Sequence, residues 1–401
     1  MAGQQRQDER FILAINSGSS SIKASLYSFG PAEHLVRTIV LDRIGLSDGE
    51  LLVRAGGGSQ IHQEQLDLPD HDAAFGHLFS RLEREISAGQ LQAIGHRIVH
   101  GGQDFESPRR IDEHLVHHLR EMIPLAPDHL PNEIAGIDAA AGKYPRLPQI
   151  ACFDTAFHRR MPQVAQMYAL PRWAWEAGIR RYGFHGLSYE FILRELRKQT
   201  DRSAVDGKVV IAHLGNGASM AAVRSGQCVD TTMGYTPAGG LVMGTRPGDL
   251  DPGAVLALMR RPGVEPSDVN TLINKQSGLL GLSGISPDMQ DLLRRRQDDR
   301  HAAEAVEVFC YQARKFLGAM IAALGGLDTL VFTAGIGEHA GFIRARICED
   351  MDFAAISLDP DRNQKNAAII SPPESPVTVR VMHTDEDLMI ARHTHELLGG
   401  S

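Results

Sequence analysis

The chain has 401 residues, 43% hydrophobic and 22% charged, with 40 glycines and 20 prolines spread along it. That composition excludes a disordered, collagen-like or coiled-coil protein and supplies cores for about two domains at ~150 residues each. Its 41 basic side chains face 49 acidic ones, a formal charge of −8, so no global positive field favours nucleic acid or an anionic membrane and any anion site must be local. Cys152, Cys228, Cys310 and Cys348 lack C-x-x-C spacing, which excludes a zinc or dithiol pair and fits a reducing, cytoplasmic setting. The first ten residues are polar, and the FILAI run after them is too short for a signal-peptide core or a membrane span of ~20 residues.

Residues 11–30 read as a β-hairpin, FILAI and IKASLYSF around the turn NSGSSS. Helical periodicity over 73–90 precedes the strand QAIGHRIVHGG, and EHLVHHLRE at 113–121 reads as an amphipathic helix with water-facing histidines. The short strand in LPQIACFDT delivers Asp154 to its carboxyl end, where open α/β sheets do their chemistry. At 207–225, KVVIAHLGNGASMAAVRS repeats the strand, glycine turn, strand pattern and aligns without gaps on the first hairpin at an offset of 197, with Gly18 on Gly215, Ala24 on Ala221 and Ser28 on Ser225. Two related halves are expected. Val306, Phe309, Phe316, Leu317, Met320, Ile321 and Leu324 form one helical stripe, followed by the strand DTLVFTAG. RRRQDDR at 294–300 reads as solvated surface, and VTVRVMHT precedes a final helix for which Thr384 is the expected cap. The expected organisation is an N-terminal domain over 1–152, a C-terminal domain over 153–385, and a terminal helix, 386–401, packed back on the first domain.

Three turns, NSGSSSIK, HLGNGAS and TAGIGEH, each follow an apolar strand and offer backbone N–H groups beside small polar side chains, the way phosphate oxygens are cradled. G-x-x-x-x-G-K-[ST] is absent, and TAGIGEHAG spaces its third glycine too late for G-x-G-x-x-G. What remains is a nucleotide gripped between two hairpin loops of related domains, as in actin-like ATPases and sugar kinases. Arg97 and the glycine-flanked Arg246 suit an anionic substrate and a transferring phosphoryl group. Asp154 and Glu386 are the expected Mg²⁺ partners, because that ion takes one or two carboxylates plus phosphates and water. His158, His383, His393 and His395 lack the spacing of a metal-ligand set.

NSGSSSIK, HRIVHGG, FDTAFH, RRYGFHG, HLGNGAS, MGTRPGDLDPG, FTAGIGE and TDEDLMIAR stand in order along nearly the whole chain. In this the sequence resembles the acetate kinase (acetokinase) family, within the acetate and sugar kinase, heat-shock and actin superfamily. The resemblance implies an α/β protein of two actin-like (ribonuclease H-like) domains with an interdomain nucleotide cleft. It also implies a homodimer, with the interface on the C-terminal domain, and reversible phosphoryl transfer from ATP to acetate giving acetyl phosphate and ADP, with Mg²⁺ or alternatively Mn²⁺.

Carried over by position, Asn16, Ser19, Ser21 and Lys23 match the first phosphate loop, His213, Asn216 and Gly217 the second, and Gly335, Ile336, Gly337 and Glu338 the adenosine-side loop, with Asp288 also on the nucleotide side. Arg97, His129, Asp154, His185, Arg246 and Glu386 match the groups around the phosphoryl and the metal, Asn16 joining the metal set, while Val99, Phe184 and Pro237 match the pocket for the substrate methyl. The chain departs from the family's common pattern at Asp128, in LAPDHLP, and at Leu187 and Tyr189, in GFHGLSY where G-F-H-G-T-S-H is common. Gln290 and His339 also differ. The alternatives are a kinase for propionate or another short acyl group and, in another class, an actin- or heat-shock-like ATP-dependent binding protein; a dehydrogenase ranks behind both.

Overall fold

A computed structural model of the chain describes residues 9–199 and 206–399. The polar N-terminal stretch up to residue 8 and the last two residues of the expected terminal helix lie outside the described residues. The chain divides into two units, residues 1–156 with 385–401, and residues 157–384. Asp154, at the start of the expected C-terminal domain, thus belongs with the first unit.

Among the described residues, the first unit carries an eight-stranded sheet. Its centre is β1 (Phe11–Ser17), antiparallel to β2 (Ser21–Phe29), which continues through β3 (Glu33–Asp42) and β4 (Gly49–Ala55) to β5 (Gln60–Leu66). The near-continuous apolar run of β1 makes it a buried inner strand, whereas QIHQEQL, almost wholly polar, suits β5 at an exposed edge. On the other side of β1 lie the parallel strands β6 (Leu91–Ile98) and β8 (Gln149–Phe153), then the short edge β7 (Arg109–Arg110). Because β1, β6 and β8 run the same way side by side, their carboxyl ends bring Asn16, Arg97 and Asp154 together.

Asp70 caps the His71–Glu85 helix by accepting from the Ala73 N–H at 2.9 Å, and Phe75, Leu78, Phe79 and Leu82 form its buried stripe. The helix Leu130–Lys143 packs on it at Gly136, where a Cβ would lie 2.6 Å from Phe75 Cζ. The terminal helix, Glu386–Leu397, lies on β1 and β6, and Gly95 allows the approach: a Cβ there would sit 2.6 Å from Ile390 Cγ2. Its cap is Asp385, not Thr384: the Asp385 carboxylate accepts from the Leu388 N–H at 2.9 Å.

The second unit repeats the same strand order. Its sheet runs β11 (Gln227–Thr231), β10 (Ala218–Arg224), β9 (Lys208–Leu214), β12 (Thr329–Thr333), β13 (Thr378–Val381), antiparallel in the first three and parallel in the last three. In the first unit β3, β2, β1, β6 and β8 stand in that relation. The offset of 197 carries β1 onto β9 residue for residue, but the gapless alignment fails after the turn. Ser17 pairs with Ile22 around a longer turn, whereas Leu214 pairs with Ala218. One residue is missing from the second turn, so Lys23, opposite Asn16, corresponds to Ser219, opposite His213, and the Ala24 and Ser28 matches are fortuitous. The long helix Arg300–Leu324 is capped by Asp299 and ended by Gly325 in the left-handed region. It buries Val306, Phe309, Leu317, Met320 and Leu324 of the expected stripe, while Phe316 and Ile321 stay half-buried at its border. All four cysteines are free and buried. No helix among the described residues is long and apolar enough to cross a membrane.

Candidate active site

In the first unit, Arg97 is the hub. Its Nη2 lies 2.6 Å from Asp154 Oδ2, its Nε donates to both Asp154 oxygens at 3.2 Å, and its Nη1 donates to Asn16 Oδ1 at 3.0 Å. Glu386 Oε2 stands 3.8 Å from Nε. Burial opposes the guanidinium charge, but Asp154 and Glu386 outweigh it and raise the Arg97 pKa. The Asp154 side chain is fully buried and that of Glu386 is 16% exposed, so Glu386 is the more accessible carboxylate.

Glu386 is held by a clamp that sequence reasoning missed. Successive same-side residues of β2 grip the acidic first turn of the terminal helix: Lys23 Nζ pairs with Asp387 Oδ2 at 2.9 Å, Ser25 Oγ donates to the same oxygen at 2.7 Å, and the Tyr27 hydroxyl reaches both Asp385 oxygens at 3.3 Å. Burial works against the Lys23 ammonium, yet Asp387, Asp385 and Glu386 raise its pKa. Burial and the same aspartates push the Tyr27 phenol far above its ordinary value, so it stays a donor. Lys23, expected on a phosphate, is here the partner of Asp387. Ser19 is exposed and Ser21 half-buried on the turn whose Gly18 carbonyl accepts from His71 Nε2 at 2.9 Å.

Glu133 is another unforeseen group. It lies in the first turn of the Leu130–Lys143 helix, which His129 precedes at the cap position, and the buried carboxyl accepts from the Val99 N–H at 3.1 and 3.2 Å. Burial drives its pKa up, the Val99 N–H and Arg97 pull it down, and it settles at about 8.

In the second unit, Arg246 and two histidines converge on the turn between β9 and β10. A Cβ on Gly217 would lie 2.8 Å from Arg246 Nη2 and 3.2 Å from His185 Nε2, and one on Gly215 3.8 Å from His213 Nε2. Glycine therefore leaves room for a ligand against three nitrogen atoms. The His185 and His213 rings stack, with centroids 4.2 Å apart. Each has Nδ1 on a hydroxyl at 2.8 Å, Ser219 Oγ for His185 and Ser188 Oγ for His213. Arg246 Nη1 donates to the Pro237 carbonyl at 2.7 Å. Phe184 is buried, and its carbonyl accepts from His158 Nε2 at 3.0 Å. Burial lowers the His158 pKa to about 4, which keeps that ring a neutral support beneath the loop. Its place in FDTAFH was the only sequence signal for it.

A cavity of about 710 Å³ opens beside this turn, lined by Gly215, Asn216, Asp288, Gln290, Gly335, Ile336 and His339 among others. TAGIGEH is not a loop but the end of β12 running into the helix Ala334–His339. That helix presents Gly335 and Ile336 to the cavity, while the Glu338 carboxylate turns elsewhere, to His383 Nδ1 at 2.9 Å and the Thr384 N–H at 3.4 Å. Asp288 caps the Met289–Arg295 helix through the Gln290 and Asp291 N–H groups. Beneath lies Arg344, fully buried and unforeseen, donating to the Gly337 and Glu338 carbonyls at 2.8 and 3.0 Å and to Asn363 and Asn366. A guanidinium held by neutral oxygens stiffens the cavity wall.

The family model of the acetokinase family matches residues 11–392. A protein of Rhodopseudomonas palustris named acetate kinase is 45% identical over 394 residues, covering 97% of this chain and 98% of its own. The crystal structure of Porphyromonas gingivalis acetate kinase is similar with a TM-score of 0.87 at 37% identity, covering 97% of this chain and 100% of that one. That of a propionate kinase from Francisella tularensis gives 0.89 at 34%, covering 96% and 98%.

Proposed function

The chain belongs to the acetokinase family, and from that premise we propose that it transfers a phosphoryl group reversibly and in line from ATP to acetate, giving acetyl phosphate and ADP. The observation that carries this reading is the convergence of Arg246 and the Nε2 atoms of His185 and His213 on the two glycines of a turn beside a nucleotide-sized cavity.

Acetate, with a pKa near that of a glutamate side chain at ~4.3, is ionised at neutral pH, so the nucleophile needs no general base. The obstacle is repulsion between anions. Arg97 in the first unit and Arg246 in the second supply fixed positive charge for the carboxylate and the equatorial phosphoryl oxygens, and His185 donates from Nε2. Asp154 keeps Arg97 charged and oriented. In the first unit Val99, set by Glu133, and in the second Phe184 and Pro237 are assigned to the substrate methyl. His129 is assigned to the phosphoryl group, and Asn216, Gly217, Asp288, Gly335 and Ile336 to the nucleotide.

Among the described residues no three His, Cys, Asp or Glu side chains form a ready-made metal cage. Glu386, Asn16 and Asp154 nevertheless offer hard oxygens, a donor set that Mg²⁺, or Mn²⁺ in its place, accepts when phosphates and water complete it. Both Asp154 oxygens are engaged by Arg97, which leaves Glu386 as the principal ligand. Bound there, the ion would screen phosphate charge.

The homodimer is supported by the helix Pro252–Met259, whose sequence PGAVLALM buries no residue in a single chain. Four free thiols support a reducing, cytoplasmic setting. The solved propionate kinase favours propionate as the second substrate to test. A hydroxamate assay with ATP, Mg²⁺ and short carboxylates tests the reading: acetate-dependent acyl phosphate is expected, and its absence with every carboxylate would reject it.

A further inference from the structure

Tyr189 lies in the first turn of the helix Gly186–Gln199 with its side chain completely buried. Its hydroxyl is hydrogen-bonded to Ser219 Oγ, and the same oxygen stands 2.8 Å from His185 Nδ1. We propose that Tyr189 is a positioning residue for His185, acting through Ser219. The phenol donates to Ser219 Oγ, the serine hydroxyl donates to His185 Nδ1, and the ring's proton is thereby held on Nε2.

With a neutral imidazole and the serine proton spent within the chain, two hydroxyls ending on a ring nitrogen run in one of two senses, because each hydroxyl has one proton to give. His185 Nε2 faces the Gly217 turn beside Arg246 Nη2, and the oxygens of a phosphoryl group are acceptors. Only the sense that starts at the phenol leaves Nε2 with a hydrogen to donate. The backbone supports the same conclusion. His185 sits in the left-handed region at φ 60°, a conformation that a side chain with a Cβ holds only when its surroundings over-determine it. The Tyr189–Ser219 relay at Nδ1 and the stacked His213 ring supply that constraint. His213 is tied in parallel fashion by Ser188, which also meets Thr384 Oγ1 at 2.8 Å. Tyr189 is thus one of the chain's departures from G-F-H-G-T-S-H, and its work is orientation of a histidine rather than contact with nucleotide.

The kinetic test rests on the phosphotransferase reading, and a spectroscopic one does not. Tyr189→Phe is expected to lower kcat by about 10- to 100-fold, the loss typical when the group orienting a functional imidazole is removed. KM for ATP and acetate should stay within about twofold, as for a contact made only in the transition state. Tyr189→Phe with Ser219→Ala should be no slower than Ser219→Ala alone, because both break one relay, and Tyr189→His should restore most of kcat by retaining a donor. Nitrogen NMR of the wild-type protein, with His185 assigned through His185→Gln, should show the Nε2–H tautomer. A folded Tyr189→Phe enzyme with wild-type kcat, multiplying losses in the double variant, or an Nδ1–H tautomer would each overturn the proposal. Should Tyr189→Phe not fold, Ser219→Ala and the tautomer decide it. A wild-type protein that makes no acyl phosphate would defeat the functional reading, and the tautomer would still decide the relay.

Discussion

Arg246 and Arg97 illustrate two ways of holding a guanidinium. Arg246 donates from one nitrogen to the Pro237 carbonyl and brings the other to the Gly217 turn, so Arg246→Ala should lower kcat by ~10²–10³-fold, the usual loss of a preorganised donor, with Tm nearly unchanged. A folded variant with near-normal kcat would remove Arg246 from the chemistry. Arg97 is locked between Asp154, Asn16 and Glu386. Deleting the buried Asp154 carboxylate would strand its charge at a cost of about 3–5 kcal/mol, confusing stability with catalysis. Glu133 gives a cleaner reading. Its carboxyl is raised from an ordinary value near 4.5 to about 8, so between those limits the folded state keeps a proton that the unfolded chain has lost. Stability must therefore fall as pH rises through that window, by at most about 1.4 kcal/mol per pH unit from this group. Glu133→Gln, which still accepts from Val99, should flatten the slope in urea unfolding measured across the window; an unchanged slope would mean that Glu133 titrates normally.

At the scale of elements, three strand ends and two helix starts make the first unit's part of the candidate site. The repeated strand, glycine turn, strand pattern was legible in the sequence because burial of β1 and β9 on both faces demands near-continuous apolar runs, and a tight turn demands glycine. The one-residue difference between the turns was not legible: turn length is set by ladder hydrogen bonds, and a gapless match by chance looked as good. TAGIGEH had the composition of a loop, yet it folds as a helix whose last carbonyls accept from the buried Arg344 on the next helix. The helix Pro252–Met259 carries the dimer proposal. Leu256 and Met259 are 50% and 42% exposed, and Leu256→Asp should convert a dimer to monomers in sedimentation velocity while unfolding at nearly the same urea midpoint. A wild-type monomer would reject the dimer, and a variant that stays dimeric would move the interface elsewhere.

For the molecule as a whole, the proposed phosphoryl transfer assigns roles to groups of each unit, and the proposed substrate choice assigns them to Val99 in the first and to Phe184 and Pro237 in the second. An apolar pocket discriminates one methylene by only ~1–3 kcal/mol, so kcat/KM should fall about 10–200-fold from acetate to propionate and again to butyrate. A butyrate optimum in the same series would overturn acetate as the substrate. The sequence by itself determined the repeated architecture and the glycine turns and singled out Arg97, Asp154, His185 and Arg246 as candidates, because burial patterns, turn chemistry and ordered motifs are written locally along the chain. Only the tertiary structure decided what those groups do with their neighbours: Lys23 on Asp387, Glu338 on His383, Glu133 on Val99, Tyr189 behind His185. A buried polar group must find a partner wherever packing leaves one, and that partner is chosen by proximity in space, which residue spacing does not encode.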